Sequence, residues 1–284
     1  MNMTMTPDDP DLLALLREDA PHGDLTTTGL GLHDTPAHIT FHARAAMVPA
    51  GLDAAARLLT LCGATVTFQQ RNGQPVAPGA LLLRGHGPAA GVLLAWKTAQ
   101  TLTEACSGIA TATAAIVQAL RAEGFRTPLA CTRKNFPGTR RWTAHAVVAG
   151  GGVMHRLGLS ESLLVFPEHR ALLPEGEGLA RLAALRAAQP EKRLVAEVGS
   201  AEEALTLARA GVVDVLQLER FSPDALAELK AALASQGLAS VKLAPAGGVT
   251  LANAVAYARA GADFLVSSAP YFAPPADVKV HIHA

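Results

Sequence analysis

The chain has 284 residues, half of them apolar, with 24 Lys plus Arg balanced against 24 Asp plus Glu. That length allows two domains or one barrel of about 250 residues, and so large an apolar share excludes a disordered chain. The balanced charge gives no overall field for nucleic acid or anionic lipid. Cys62, Cys106 and Cys131 lack the spacing of a disulfide framework or zinc site and read as reduced core thiols.

The N-terminal stretch MNMTMTPDDPDLLALLRED carries acids where a secretory signal needs bases. No apolar run reaches the roughly 18 residues needed to span a bilayer. The expectation is a soluble cytoplasmic protein with neither a membrane nor a nucleic-acid partner. Next along the chain, HITFHARA and ATVTFQQ read as strands around one apolar helix, AGLDAAARLLTLCG. RNGQPVAPGA and RGHGPAAG read as turns. This texture predicts a separate α+β domain. Residues 89–122 are helical in period and are expected to cross between domains.

TPLACTRK and ESLLVFPEH are the next strand candidates, and from there the pattern becomes regular. RLVAEV is a β-branched run; SAEEALTLARAG offers Ser200 as N-cap with Glu203 three residues on, and closes on Gly211. VVDVLQL is a strand, followed by a helix with Ser222 as N-cap, Pro223 at its first position and Gly237 past its end. SVKLAP, TLANAVAYARAG and DFLVSSA complete the alternation. Consecutive βα units imply parallel strands, and six of them point to a small closed barrel, with an open doubly wound sheet as the rival. The tail ADVKVHIHA alternates like an edge strand that returns to the first domain. His281 and His283 share one face of that tail, a spacing more often structural than metal-ligating.

Chemistry in parallel α/β folds gathers at the C-terminal ends of the strands. Those ends deliver Arg133–Lys134, Glu168–His169, Glu197, Glu219, Gly247–Gly248 and Ser267–Ser268. With His155 and Arg156, the cations suit carboxylates or phosphates. Glu197 and Glu219 suit Mg²⁺, which takes a few carboxylate oxygens and completes its shell with substrate oxygens and water. Gly247–Gly248, with Thr250 at a helix start, suits a backbone phosphate cradle. Each piece has a bland reading: Gly-Gly as a tight turn, Arg-Lys as solvated surface, His155 as a packed histidine. Glu197 is the least bland, because a carboxylate in an apolar strand needs a partner.

EDAPHGDLTT, SGIATAT, CTRKNFPGTR, GGGVMHRLGL and AGGV, in this order and spacing, resemble quinolinate phosphoribosyltransferase from about Leu12 to Ile282. The resemblance implies a type II phosphoribosyltransferase fold: an N-terminal α/β sandwich (1–108, joined by the tail 272–284) and a six- to seven-stranded α/β barrel (109–271). It further implies a homodimer with sites near the interface. Arg133, His155 and Arg156 match the acceptor-binding wall, with Phe166 and His169 on the same side. Lys97 sits where the family has an arginine supplied across the dimer. Lys134, Glu197 and Glu219 match the catalytic and Mg²⁺-side positions, and Gly247, Gly248 and Ser267 the phosphate side. Glu219 stands where the family has an aspartate.

Where the family reads Ile-Lys-Asp-Asn-His, this chain reads Val165–Phe166–Pro167–Glu168–His169. Two family glutamates are Val195 and Ala244 here. These departures resemble the ModD branch, paralogues associated with molybdenum-transport operons. The reaction implied is transfer of phosphoribose from Mg²⁺–phosphoribosyl pyrophosphate to a ring nitrogen of an anionic planar acceptor, with release of pyrophosphate. The alternatives are quinolinate phosphoribosyltransferase proper, forming nicotinate mononucleotide and carbon dioxide for NAD synthesis, and a non-catalytic ligand-binding barrel linked to molybdenum uptake.

Overall fold

A computed structural model describes residues 8–284; the first seven residues of the acidic N-terminal stretch lie outside the described residues. In chain order the first elements are α1 (Asp9–Asp19), α2 (Leu25–Gly29), β1 (Pro36–Ala43), α3 (Leu52–Leu61), β2 (Thr65–Gln69), β3 (Leu81–Pro88) and α4 (Ala89–Ala122). Then come β4 (Leu129–Cys131), α5 (Arg140–Ala149), β5 (Val153–Met154), β6 (Leu163–Val165), α6 (Pro167–Ala171) and α7 (Gly178–Ala188). The chain continues with β7 (Leu194–Val198), α8 (Ala201–Arg209), β8 (Val215–Glu219), α9 (Pro223–Ser235), β9 (Lys242–Ala246) and α10 (Ala254–Arg259). It finishes with β10 (Leu265–Ser267), a short 3₁₀ turn and β11 (Val278–His283).

Two compact units result. The first takes the described residues through Ala114 together with 136–151 and 270–284; the second takes 115–135 and 152–269. In the first unit an antiparallel sheet has the order β11-β1-β3-β2. Alternation in β1 sends Ala37, Ile39, Phe41 and Ala43 into the core and leaves His38 exposed. Leu58 and Leu59 of α3 and Leu82 and Leu83 of β3 complete that core. The segment RGHGPAAG, expected as a turn, instead contributes the end of β3 and the start of α4. Its glycines answer to close approach: a Cβ at Gly85 would lie 2.9 Å from the Thr65 carbonyl oxygen, and one at Gly87 2.8 Å from Ala64 Cα.

Gly91 of α4 is tighter still. A Cβ there would lie 1.8 Å from the carbonyl oxygen of Cys62, at the end of α3. Gly→Ala inside a helix ordinarily stabilises by about 1 kcal/mol. Here overpacking reverses the sign, and Gly91→Ala is expected to cost about 3 kcal/mol, seen as a lower urea midpoint.

The second unit carries seven parallel strands, β4 to β10, one more than the sequence pattern showed because β5 has only two residues. Strands β6-β7-β8-β9 form one ladder and β10-β4-β5 another, and β10 lies beside β9. Pairing of the last parallel strand with the first closes a barrel-like sheet, which an open doubly wound sheet does not do. Helix starts follow the chemistry of their caps. Ser200 Oγ accepts from Glu203 N at 3.2 Å, and Ser222 Oγ from Ala225 N at 3.1 Å. The Glu203 carboxylate reaches Gly199 N rather than Ser200 N, and also pairs with Arg170. Leu164, Val195, Val215, Ala244, Ala246 and Val266 form the apolar interior, with Phe166 and Phe264 packed against it.

Candidate active site at the C-terminal ends of the parallel strands

Each strand of the second unit ends at one cavity of about 450 Å³. Thr132, Arg133 and Lys134 leave β4; His155 and Arg156 leave β5; Phe166 leaves β6. Glu197 comes from β7, Gln217 and Glu219 from β8, and Gly247–Gly248 follow β9. The period of two explains the sorting. Val195 and Glu197 point inward together, as do Val215, Gln217 and Glu219, so apolar residues form the floor and polar ones the rim.

One wall is cationic. Arg133, Lys134 and Arg156 form no ion pair with a carboxylate among the described residues. Burial, and then the neighbouring charge of Arg133, lowers the pKa of Arg156. Clustered cations without counter-ions are an anion site. The Arg156 guanidinium also stands 5.8 Å from the centre of the Phe166 ring.

His155 adds no charge at neutral pH. Burial, with a smaller contribution from Arg156, lowers its pKa to about 4. The folded value lies below the usual histidine value near 6.5, so on acidification the unfolded chain takes up the proton first. Stability is therefore expected to fall between about pH 6.5 and pH 4, and His155→Gln is expected to flatten the fall. Thermal melts across that range check it.

The opposite wall is anionic. Burial raises the pKa of Glu197; the hydrogen bond from Gln217 opposes this, the charges of Glu219 and Glu168 reinforce it, and Lys134 opposes it. Gln217 Nε2 donates to Glu197 Oε2 at 2.6 Å, and Arg170 Nη1 donates to the Glu197 carbonyl oxygen at 2.9 Å. Glu219 crowds the glycine loop: a Cβ at Gly247, whose φ is +72°, would lie 2.4 Å from Glu219 Oε1. The positive φ favours glycine there, and a side chain would also have to displace the Glu219 carboxylate. Gly248 follows with φ +109°, turning the chain so that its backbone borders the cavity.

Several expected positions fall elsewhere. His169 does not border the cavity: its Nδ1 accepts from Phe166 N at 3.0 Å, and its ring stacks on Phe166 with centroids 5.7 Å apart. It holds Phe166 in place. Ser267 borders the cavity, yet its hydroxyl donates to the Val249 carbonyl at 2.6 Å and accepts from Ala269 N at 3.0 Å. Its side chain ties loops together. Thr250 does not start a helix; its N–H donates to Asn253 Oδ1 at 2.8 Å, and α10 begins at Ala254. Lys97 belongs to the first unit, exposed on α4, where it donates to Gln100 and lies 4.0 Å from the centre of the Trp96 ring.

Gln217 and Arg170 were missed by sequence reasoning. The amide was legible as the inward neighbour of Glu219 two residues away, whereas nothing local marks Arg170. Burial raises the pKa of Cys106 and Cys131 to about 12, so neither is a thiolate nucleophile. Among the described residues no helix is long and apolar enough to cross a membrane.

Comparison with known proteins agrees with this architecture. Residues 24–107 match the family model described as quinolinate phosphoribosyl transferase, N-terminal domain, and residues 109–281 match its C-terminal domain. ModD of Rhodobacter capsulatus, a protein named as a pyrophosphorylase, is 44% identical over 257 residues, covering 90% of this chain and 98% of its own. The nicotinate-nucleotide pyrophosphorylase (carboxylating) of Mycobacterium leprae is 34% identical over 259 residues, 89% of each chain. The crystal structure of NadC from Streptococcus pyogenes superposes with a TM-score of 0.88 at 27% identity, covering 100% of this chain and 99% of that one. With both family models matched in order and full-length relatives above 30% identity, the chain belongs to the quinolinate phosphoribosyl transferase family.

Proposed function

We propose that this protein transfers phosphoribose from Mg²⁺–phosphoribosyl pyrophosphate to a ring nitrogen of a planar acceptor, releasing pyrophosphate. The acceptor carries fewer anionic groups than quinolinate. The observation that carries this reading is Phe166, which packs against the apolar cluster that includes Val195 and Ala244, beside the Arg156 guanidinium. An aromatic face suits stacking on a flat ring, and a single cationic wall suits one carboxylate rather than two.

The residues divide the work. Arg133 and Arg156 bind and orient the anionic end of the acceptor, beside the buried, neutral His155. Lys134 and the Gly247–Gly248 backbone serve phosphate. Glu197 and Glu219 face the positive charge that develops on the sugar carbon as pyrophosphate departs.

The donor set fits Mg²⁺. Two carboxylates border the cavity, and the mutual repulsion of Glu197 and Glu219 favours a cation between substrate and wall. Glu197 and Glu219 would hold the ion, and its chemistry would be to neutralise pyrophosphate as a leaving group. The exposed cation Lys97 fits a homodimer in which it serves the partner's site. Mixed Lys97→Ala and Glu197→Gln subunits then regain activity, and exchange without regain removes the shared site.

The deciding experiment screens pyridine and pterin carboxylates for pyrophosphate release dependent on phosphoribosyl pyrophosphate. A monocarboxylate is expected to outperform quinolinate. Release of carbon dioxide with quinolinate as the best acceptor would instead establish the NAD-forming reaction.

A further inference from the structure

Gln217 is 5% exposed on β8, in register with Glu197 of β7 on one side and Ala244 of β9 on the other. It stands one layer above the apolar floor of Val195 and Val215. Its Nε2 donates to Glu197 Oε2 at 2.6 Å, while its Oε1 is buried with no hydrogen-bond partner among the described residues. The carboxylate settles which end of the amide is which, because an ionised carboxylate needs a donor and only Nε2 provides one.

An unpaired buried carbonyl oxygen destabilises a fold, and a leucine of similar size would avoid that defect while extending the apolar floor. The amide's one service to the fold is its hydrogen bond to the Glu197 carboxylate, and its own oxygen stays unpaired. The neighbouring main chain sharpens the point, since Arg170 Nη1 already holds the carbonyl oxygen of Glu197 at 2.9 Å. Arg170 fixes the backbone of Glu197, and Gln217 fixes its carboxylate.

We propose that Gln217 is a positioning residue that clamps one oxygen of Glu197 so that the carboxylate keeps a single orientation toward the reacting sugar. The proposal rests on the phosphoribosyl-transfer reading above. A carboxylate free to rotate would spend part of its time turned from the charge it must stabilise, and misplacement of about 1 Å can cost on the order of a hundredfold in rate.

Gln217→Leu separates the two roles. The free variant is expected to melt close to the wild type, because the unpaired Gln217 oxygen and the hydrogen bond to Glu197 are lost together. Its kcat, read as pyrophosphate release from Mg²⁺–phosphoribosyl pyrophosphate with a pyridine monocarboxylate, is expected to fall about tenfold to a hundredfold. KM for phosphoribosyl pyrophosphate stays within about twofold, because alignment acts on the transition state rather than on binding. A crystal structure of the variant is expected to show the Glu197 carboxylate turned from its present position. Unchanged kcat with Glu197 still in place overturns the proposal. So does a parallel loss of melting temperature and kcat, which marks a packing role. If the wild type releases no pyrophosphate with any acceptor, the phosphoribosyl-transfer reading falls. The position of Glu197 in the Gln217→Leu crystal structure then decides the positioning role by itself.

Discussion

Glu197→Gln is expected to lower pyrophosphate release by about a hundredfold to a thousandfold while leaving the fold intact. The substitution keeps the size of the side chain and a hydrogen-bonding partner for Gln217, so it removes little but charge. That charge stands in a partly desolvated wall beside Glu219, where each unit of negative charge acts strongly on a developing cation. Relieving the repulsion between Glu197 and Glu219 also removes a penalty from the free protein, so the melting temperature should hold or rise. Steady-state pyrophosphate release and a thermal melt on one preparation test both halves. Full activity in Glu197→Gln would remove Glu197 from the mechanism, and a collapse in stability would recast it as structural.

Phe166→Lys is expected to destabilise the protein by about 3 kcal/mol without creating activity on quinolinate. The new ammonium would replace a ring packed against the apolar cluster that includes Val195 and Ala244, and would stand near the Arg156 guanidinium, now 5.8 Å from the ring centre. It would lose apolar contact and gain like-charge repulsion, and the Glu197 carboxylate on the same cavity is already engaged by Gln217. The ring of His169 would also lose its stacking partner. Adding Val195→Glu and Ala244→Glu supplies the missing partners and is expected to restore most of the lost stability, and with it some binding of a dicarboxylate acceptor. The three substitutions are one coupled change, so the triple variant must be more stable than the sum of the single effects predicts. A fully stable Phe166→Lys, with the two glutamates making no difference, would break the coupling.

Much of the second unit was legible because its rules are local. The period-two runs of RLVAEV and VVDVLQL became β7 and β8, and Ser200 and Ser222 cap α8 and α9 because a side-chain oxygen meets a free N–H wherever the backbone enters a helix. The rim residues Arg133, Lys134, Glu197 and Glu219 could be placed at one cavity from their positions at strand ends, whereas Arg156 follows the two-residue β5 that the pattern did not show. Parallel strands deliver their last residues to the same side.

Other features had no local signature. Gly85 and Gly87 looked like turn residues, yet they are glycines because Thr65 of β2 and Ala64 just before it pass too close for any side chain. His169 and Ser267 carry functional-looking groups whose hydrogen-bonding capacity is taken up by Phe166 in one case and by Val249 and Ala269 in the other. Arg170 reaches Glu197 across a separation of 27 residues. The sequence by itself determined the periodicities, the helix caps and the inventory of charges at the strand ends, since each depends on neighbours a few residues away. The tertiary structure decided closure of the barrel through β10 and β4, the assignment of residues 136–151 to the first unit, and the pairing of Gln217 with Glu197. Those depend on contacts between segments far apart in the chain, where side-chain volume and unsatisfied hydrogen bonds select the partner.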